Sequence, residues 1–253
     1  MTEPSKVIIL VGLIWAVSAG PTYAQPTPLP PERPTDLGRE CRKSPPSGAS
    51  LNETHPADNV QITSPSVDEC LIKLSALGAS VQAATSPSDD NHSCNIAMPI
   101  RLKHVTSRTG LKSVIQFPNQ PLIDCRLAEP LARWIGEVVA PVFEANFSSP
   151  LRAIRTGPGY ECRNRNHETT GKLSAHAIGF ALDISGFELA NGQVVSVQPG
   201  NDPVSDEVVR TVRTAGCGWF MTILGPGSDA AHANHLHLDI QPRGSGGGYR
   251  ICE

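Results

Sequence analysis

The sequence predicts an α+β domain: a small, mostly antiparallel sheet with flanking helices, stabilised by disulfides. Three observations predict it. The periodic segments run helix, two strands, helix, two strands, which suits helices packed on an antiparallel sheet. Asn191-Gly192 separates two strand-like runs, a strong short-range hairpin signal. Seven cysteines (Cys41, Cys70, Cys94, Cys125, Cys162, Cys217 and Cys252) follow an export-type N-terminus and contain no CxxC pair.

Residues 1–24 read as a cleaved secretory signal. Lys6 precedes VIILVGLIWAVSAG, an apolar run too short for a membrane span, and Thr22-Tyr23-Ala24 has the small residues of a signal-peptidase site. No stable membrane span is expected after cleavage; the alternative is an uncleaved anchor. Export implies a periplasmic or secreted protein in an oxidising compartment, so two or three disulfides and at least one odd thiol are expected. Their pairing is not fixed by spacing. Residues 25–66 are first proline-rich and then polar, the composition of a disordered tether that cannot bury a core. The folded domain is expected over 67–253.

VDECLIKLSALGASV opens that domain as a helix, with Leu71, Leu74 and Leu77 at helical spacing and Gly78 as its stop. LAEPLARWIGEVVAPVFEANF is the clearest helix. Leu127, Leu131, Trp134, Ile135, Val138, Val142 and Phe143 share one face. Pro130 suits a first turn, whereas Pro141 should kink or interrupt the last turns. GFALDISGFEL and QVVSVQ are the hairpin strands. Asp202 as N-cap and Pro203 at the first helical position open a helix that closes near Gly216. WFMTILG and HLHLDIQ follow as strands. Lys+Arg 21 against Asp+Glu 24, with no basic block, disfavours nucleic acid and anionic membranes as partners.

Chemistry concentrates on two of these strands. Alternation puts Ala181 and Asp183 on one face, opposite Leu182 and Ile184. An aspartate in so apolar a strand is costly to bury as an ion without a partner. His176 lies seven residues earlier, with Gly179 between to turn the backbone. In HLHLDI, His235, His237 and Asp239 likewise share a face. Two histidines and an aspartate make a sound catalytic zinc set, because three protein ligands leave the fourth tetrahedral position open for water. His232 and His235 are spare groups for proton work. The alternative is that these are hydrogen-bonded polar residues on half-buried strands.

SAHAIGFALD fits the SxHxxGxAxD pattern of the LAS metallopeptidases, the group of D-alanyl-D-alanine carboxypeptidases and hedgehog-like proteins. HANHLHLD resembles the HxxHxH closing motif of the penicillin-insensitive murein endopeptidases. Taken with Tyr160-Glu161-Cys162-Arg163, GCGWFMTILGPGSD and Arg250-Ile251-Cys252, the segments resemble the bacterial extensin-like C-terminal domain family over roughly residues 65–253. The resemblance implies a LAS/hedgehog-like fold and a secreted Zn2+-dependent peptidase. Its substrates would be peptidoglycan stem peptides, cut at amide bonds involving D-alanine as an endopeptidase or a carboxypeptidase.

It also implies roles. His176, Asp183 and His237 match the metal ligands. His235 would orient substrate or stabilise the oxyanion, and His232 is the candidate general base by similarity to the murein endopeptidases, with His235 the alternative base; other LAS enzymes use a glutamate there, and the last motif has none. Arg163 would bind a substrate carboxylate or the oxyanion, with Arg155 and Arg165 as rivals. Ser174 either supports a ligand or caps a turn. Asp239 either accepts from a ligand ring N–H or caps the strand end against Arg243. The competing reading is a non-catalytic zinc-containing module that binds or scaffolds the wall.

Overall fold

A computed structural model of the protein describes residues 66–87, 93–108, 110–200, 202–244 and 248–253. The signal segment, the tether up to Pro65 and Cys41 lie outside the described residues. Helix α1, Val67–Ala76, starts where Ser66 and Glu69 form a reciprocal capping box, each side chain accepting the other's backbone N–H. The helix ends just before Gly78, the expected stop, and beyond it the chain is strand β1, Ala79–Ala83.

Among the described residues the sheet has ten strands and is larger than expected. After β1 come β2 (Pro99–Thr106), β3 (Val114–Gln116), β4 (Leu122–Asp124) and β5 (Leu151–Thr156). Then follow β6 (Ala181–Leu189), β7 (Val194–Ser196), β8 (Thr222–Leu224), β9 (Leu236–Asp239) and β10 (Ile251–Cys252). Their order is β1-β2-β3-β5-β6-β9-β8-β10, with β4 on β2 and β7 on β6. Two pairings, β3 with β5 and β8 with β10, are parallel; the rest are antiparallel. The sheet is thus mixed but predominantly antiparallel. The predicted Asn191-Gly192 hairpin joins β6 to β7, where Phe187 faces Val195.

The long apolar segment forms α2 (Cys125–Trp134), one π turn (Ile135–Val139) and α3 (Ala140–Phe147). It begins two residues before the predicted Leu127 because the buried Asp124 caps it. The Asp124 carboxylate accepts from Arg126 N at 3.0 Å, from Met98 N at 3.1 Å and from the Arg126 guanidinium at 2.8 Å. Pro130 therefore falls in the second turn rather than the first. The interruption expected at Pro141 takes the form of the π turn just before it, which widens the helix where the proline ring would crowd the preceding turn.

Leu127, Leu131, Trp134, Ile135 and Phe143 are fully buried in a core shared with the sheet. Phe143 packs on Phe187 of β6 at 4.6 Å between ring centroids, and Trp134 meets Phe220 edge-on at 5.6 Å. Helix α4, Pro203–Gly216, is capped by Asp202 as predicted, and its Val212 carbonyl accepts the Trp134 indole N–H at 3.2 Å. The core thus fixes β6 from behind and leaves its other face for chemistry.

Among the described residues there are three disulfides, Cys70–Cys125, Cys94–Cys162 and Cys217–Cys252, closing separations of 55, 68 and 35 residues. Loops of that size restrict the unfolded chain by about 4 kcal/mol each in the chain-entropy picture. Such bonds belong to an oxidising compartment. No helix among the described residues is long and apolar enough to cross a membrane.

Candidate metal centre

Strands β6 and β9 are antiparallel neighbours, and their register puts Asp183 directly opposite His237 and Ala181 opposite Asp239. The intervening Leu182, Ile184, Leu236 and Leu238 are fully buried on the core side. The two polar side chains therefore meet on the other face, where His237 Nδ1 lies 3.0 Å from Asp183 Oδ1. His176 arrives from a short 3₁₀ turn, Ala175–Ile178. Ser174 caps that turn by accepting from His176 N, and Gly179, at φ +70°, reverses the chain into β6. A side chain at Gly179 would press on the Asp124 backbone N.

The ring of His176 is oriented from behind. Its Nδ1 donates to the Gly159 carbonyl at 2.6 Å, which leaves the Nε2 lone pair facing Asp183 Oδ2 at 3.3 Å and His237 Nδ1 at 3.2 Å. Gly159 has φ +84°, and a Cβ there would collide with the Leu122 carbonyl oxygen. The carbonyl that sets the His176 tautomer is thus held in place by a position only glycine fits.

His176 Nε2, an Asp183 oxygen and His237 Nδ1 all lie within 4.8 Å of one another. The two imidazole nitrogens are 3.2 Å apart, close to the roughly 3.3 Å between vertices of a tetrahedron with ~2.0–2.1 Å zinc bonds, and the Asp183 carboxylate meets His237 through Oδ1 at 3.0 Å and His176 through Oδ2 at 3.3 Å. The donor set fits Zn2+. Without a cation, a proton occupies the same field. Burial favours neutral His237, but its hydrogen bonds to Asp183 and Asp239 outweigh it and push the imidazole up to about 9. Burial likewise opposes ionised Asp183, yet His176 and His237 together hold it far below the usual carboxylate range.

Asp239 stands behind His237, with Oδ2 3.5 Å from His237 Nε2 and 2.8 Å from Arg243 Nη2. Asp239 thus lies beside the His237 ring and pairs with Arg243. Ser174 takes the capping role, since its hydroxyl meets the backbone of His176 and not a ring.

A cavity of about 280 Å³ opens in front of these residues, and every predicted site residue except the buried His176 lines it. His232 ends the 3₁₀ turn Ala230–His232. Its Nδ1 lies 2.7 Å from Asp229 Oδ1, which also accepts the His232 backbone N–H at 3.0 Å. His235 precedes β9 with Nδ1 2.9 Å from Asn234 Oδ1 and Nε2 3.7 Å from Asp183. Burial holds its imidazole below the ordinary value, against the pull of Asp183. Arg163 Nε is paired with Glu161 at 2.8 Å. Of its rivals, Arg155 pairs with Glu188 and does not line the cavity, whereas Arg165 does.

A profile of the extensin-like protein C-terminus family matches residues 68–253. The chain belongs to this family. No curated protein and no solved structure gives a match. The match runs from the first turn of α1 to the C-terminus, so the whole sheet and every cavity residue belong to the extensin-like domain.

Two parts of the extensin-like site escaped the sequence reading. Asp229 is the partner of His232, and its three-residue offset, the spacing of a short capped turn, was the available signal. Gly159 orients His176; only its place in GPGY, flanked by Pro158, hinted at a backbone constraint.

Proposed function

We propose that this extensin-like domain is a zinc-dependent peptidase of the periplasm, related to the LAS peptidases. Its substrates are peptidoglycan stem peptides, cut at amide bonds involving D-alanine as a D,D-endopeptidase or D,D-carboxypeptidase. The observation that carries the reading is the convergence of His176, Asp183 and His237 at 3.0–3.3 Å on the wall of a cleft that also holds a carboxylate-bound imidazole.

Zinc, when bound, supplies Lewis acidity toward water and the scissile carbonyl. The chain supplies the rest. Asp229 holds the proton of His232 on Nδ1, so His232 Nε2 is the nitrogen that accepts a proton from the attacking water and returns it to the leaving amine. His235 is kept neutral by burial and serves as a hydrogen-bond partner for substrate. Arg163, its direction fixed by Glu161, faces the charge that develops on the carbonyl oxygen. The disulfides and the export-type N-terminus support a periplasmic setting.

One observation favours a second reading, a zinc-containing wall-binding module without turnover: among the described residues, no glutamate lines the cleft to act as base. Incubating zinc-loaded protein with isolated muropeptides and analysing them by mass spectrometry decides between the two. The peptidase reading predicts hydrolysed products with wild type and none with His237→Ala. Unchanged muropeptides with a zinc-replete wild type would support the binding module.

A further inference from the structure

We infer that the cleft holds a second, weaker metal site, formed by His232 and His235, which takes a divalent d-block cation such as Zn2+. Binding there does not depend on the peptidase reading; its consequence for turnover, loss of the base nitrogen, does. His176, Asp183 and His237 are the candidate metal centre, and among the described residues neither His232 nor His235 joins that set. Their rings nevertheless carry the same support. His176 has the Gly159 carbonyl on its rear nitrogen, and His237 has Asp239. His232 Nδ1 has Asp229 Oδ1 at 2.7 Å, and His235 Nδ1 has Asn234 Oδ1 at 2.9 Å. An acceptor on one ring nitrogen holds the proton there and leaves the other as a lone-pair donor, the usual arrangement of a metal-bound histidine. His232 and His235 thus each keep Nε2 bare, and both rings line the same cavity.

The spacing of the two rings is that of a chelating pair. Two imidazoles on one tetrahedral zinc, with ~2.0–2.1 Å bonds, have ring centres about 5.2 Å apart. The centroids of His232 and His235 are 5.3 Å apart, and those of His176 and His237 in the first set are 5.0 Å apart. The pair is also held in place. Asp229 meets both the ring and the backbone N–H of His232, and Arg213 Nη1 donates to the Pro226 carbonyl at 2.8 Å, tying the preceding loop to α4. At the other end, His235 leads directly into β9, whose register fixes His237. Only 11% of the His232 side chain and 23% of the His235 side chain are exposed, so little rotamer freedom is left to lose on chelation.

Asp183 borders both sets, with Oδ1 3.0 Å from His237 Nδ1 and 3.7 Å from His235 Nε2. A carboxylate so placed can serve two cations at once, as in two-metal sites. Affinity at the second position is nevertheless the lower. It has two ligands of its own and a third only by sharing, and Arg163, Arg165 and Arg243 line the same cleft. Dialysis against metal-free buffer should therefore empty it while the first site stays filled. Imidazole donors select zinc, cobalt, nickel or copper over magnesium and calcium. A cation on His232 Nε2 occupies the lone pair that would take the proton of the attacking water, so zinc in excess acts as an inhibitor.

Isothermal titration calorimetry of the one-zinc protein with Zn2+, and separately with Mg2+, tests this without turnover. The wild type should bind one further zinc per chain and no magnesium. His232→Ala and His235→Ala should lose that event while keeping the first zinc, which shows that the fold is intact. Asp229→Asn should weaken it about 10- to 100-fold, the usual effect of removing the acceptor behind a ligand ring. No second zinc in wild type, or a second zinc that survives in both alanine variants, overturns the inference. Second-site binding without muropeptide hydrolysis at any zinc level would sink the peptidase reading and leave this one standing. Hydrolysis without a second binding event would do the reverse, and hydrolysis undiminished with the second zinc bound would overturn the placement of that ion on His232.

Discussion

His237 stands directly opposite Asp183 across the β6–β9 pair, with its Nδ1 3.0 Å from the carboxylate. Strand register alone makes this contact, because a slip of one residue would bring a core leucine to the polar face in place of a ligand. The hydrophobic alternation that secures the core thereby also secures the candidate metal centre.

The pair predicts a pH signature for the metal-free protein. His237 is pushed up to about 9, above the ~6.5 of a free imidazole, so its contribution to stability is complete below ~6.5 and lost as pH rises through 9. Asp183 is depressed, so its contribution is present above ~4 and lost only in stronger acid. Chelator-treated protein should be most stable between about pH 4 and 6.5 and lose on the order of 3 kcal/mol by pH 9.5. Urea unfolding at pH 6 and pH 9.5 measures this difference.

Zinc affinity should run the opposite way. Binding requires neutral His237 and so releases its proton; the apparent affinity should climb about tenfold per pH unit up to roughly pH 9 and then level off. Competition titration against a chelator of known affinity follows it. A pH-independent affinity would mean that this proton is not displaced.

Gly159→Ala should destabilise the fold and loosen His176 together. The left-handed φ of +84° disfavours any side chain, and the new Cβ would strike the Leu122 carbonyl. A cost of about 3 kcal/mol is expected, with a matching drop in denaturation midpoint. Wild-type stability in this variant would show that the His176–Gly159 contact is not rigid.

Asp229→Asn should act on catalysis and not on metal. The His232 turn keeps an acceptor at its cap, but the carboxylate that stabilises the protonated imidazole is lost. A fall of about 100-fold in kcat is expected, with KM and zinc content nearly unchanged. Steady-state kinetics on a purified muropeptide, paired with metal analysis, reads both.

The parts legible in the sequence were those with local periodicity or local chemistry. The α4 cap at Asp202, the Asn191-Gly192 hairpin and the shared polar faces of Asp183 and His237 each follow from a few adjacent residues. The first five strands were not legible. β3 and β4 have three residues each, too few to show a period of two, and β1 follows so closely on the helical run stopped at Gly78 that no turn-rich segment sets it apart. In the site, the candidate ligands stood out by residue type, whereas the groups around them did not. Gly159 acts through a backbone carbonyl, and Arg165 is set apart from Arg163 only by the ion pair that Glu161 makes with the latter.

The central claim is that His176, Asp183 and His237 form one zinc site. Inductively coupled plasma mass spectrometry of protein dialysed against metal-free buffer tests it most directly. One zinc per chain is predicted for wild type and for His235→Ala, and none for His176→Ala or Asp183→Ala, with all variants checked for folding by circular dichroism. A folded wild type without zinc, or folded His176→Ala and Asp183→Ala proteins that keep it, would contradict the account.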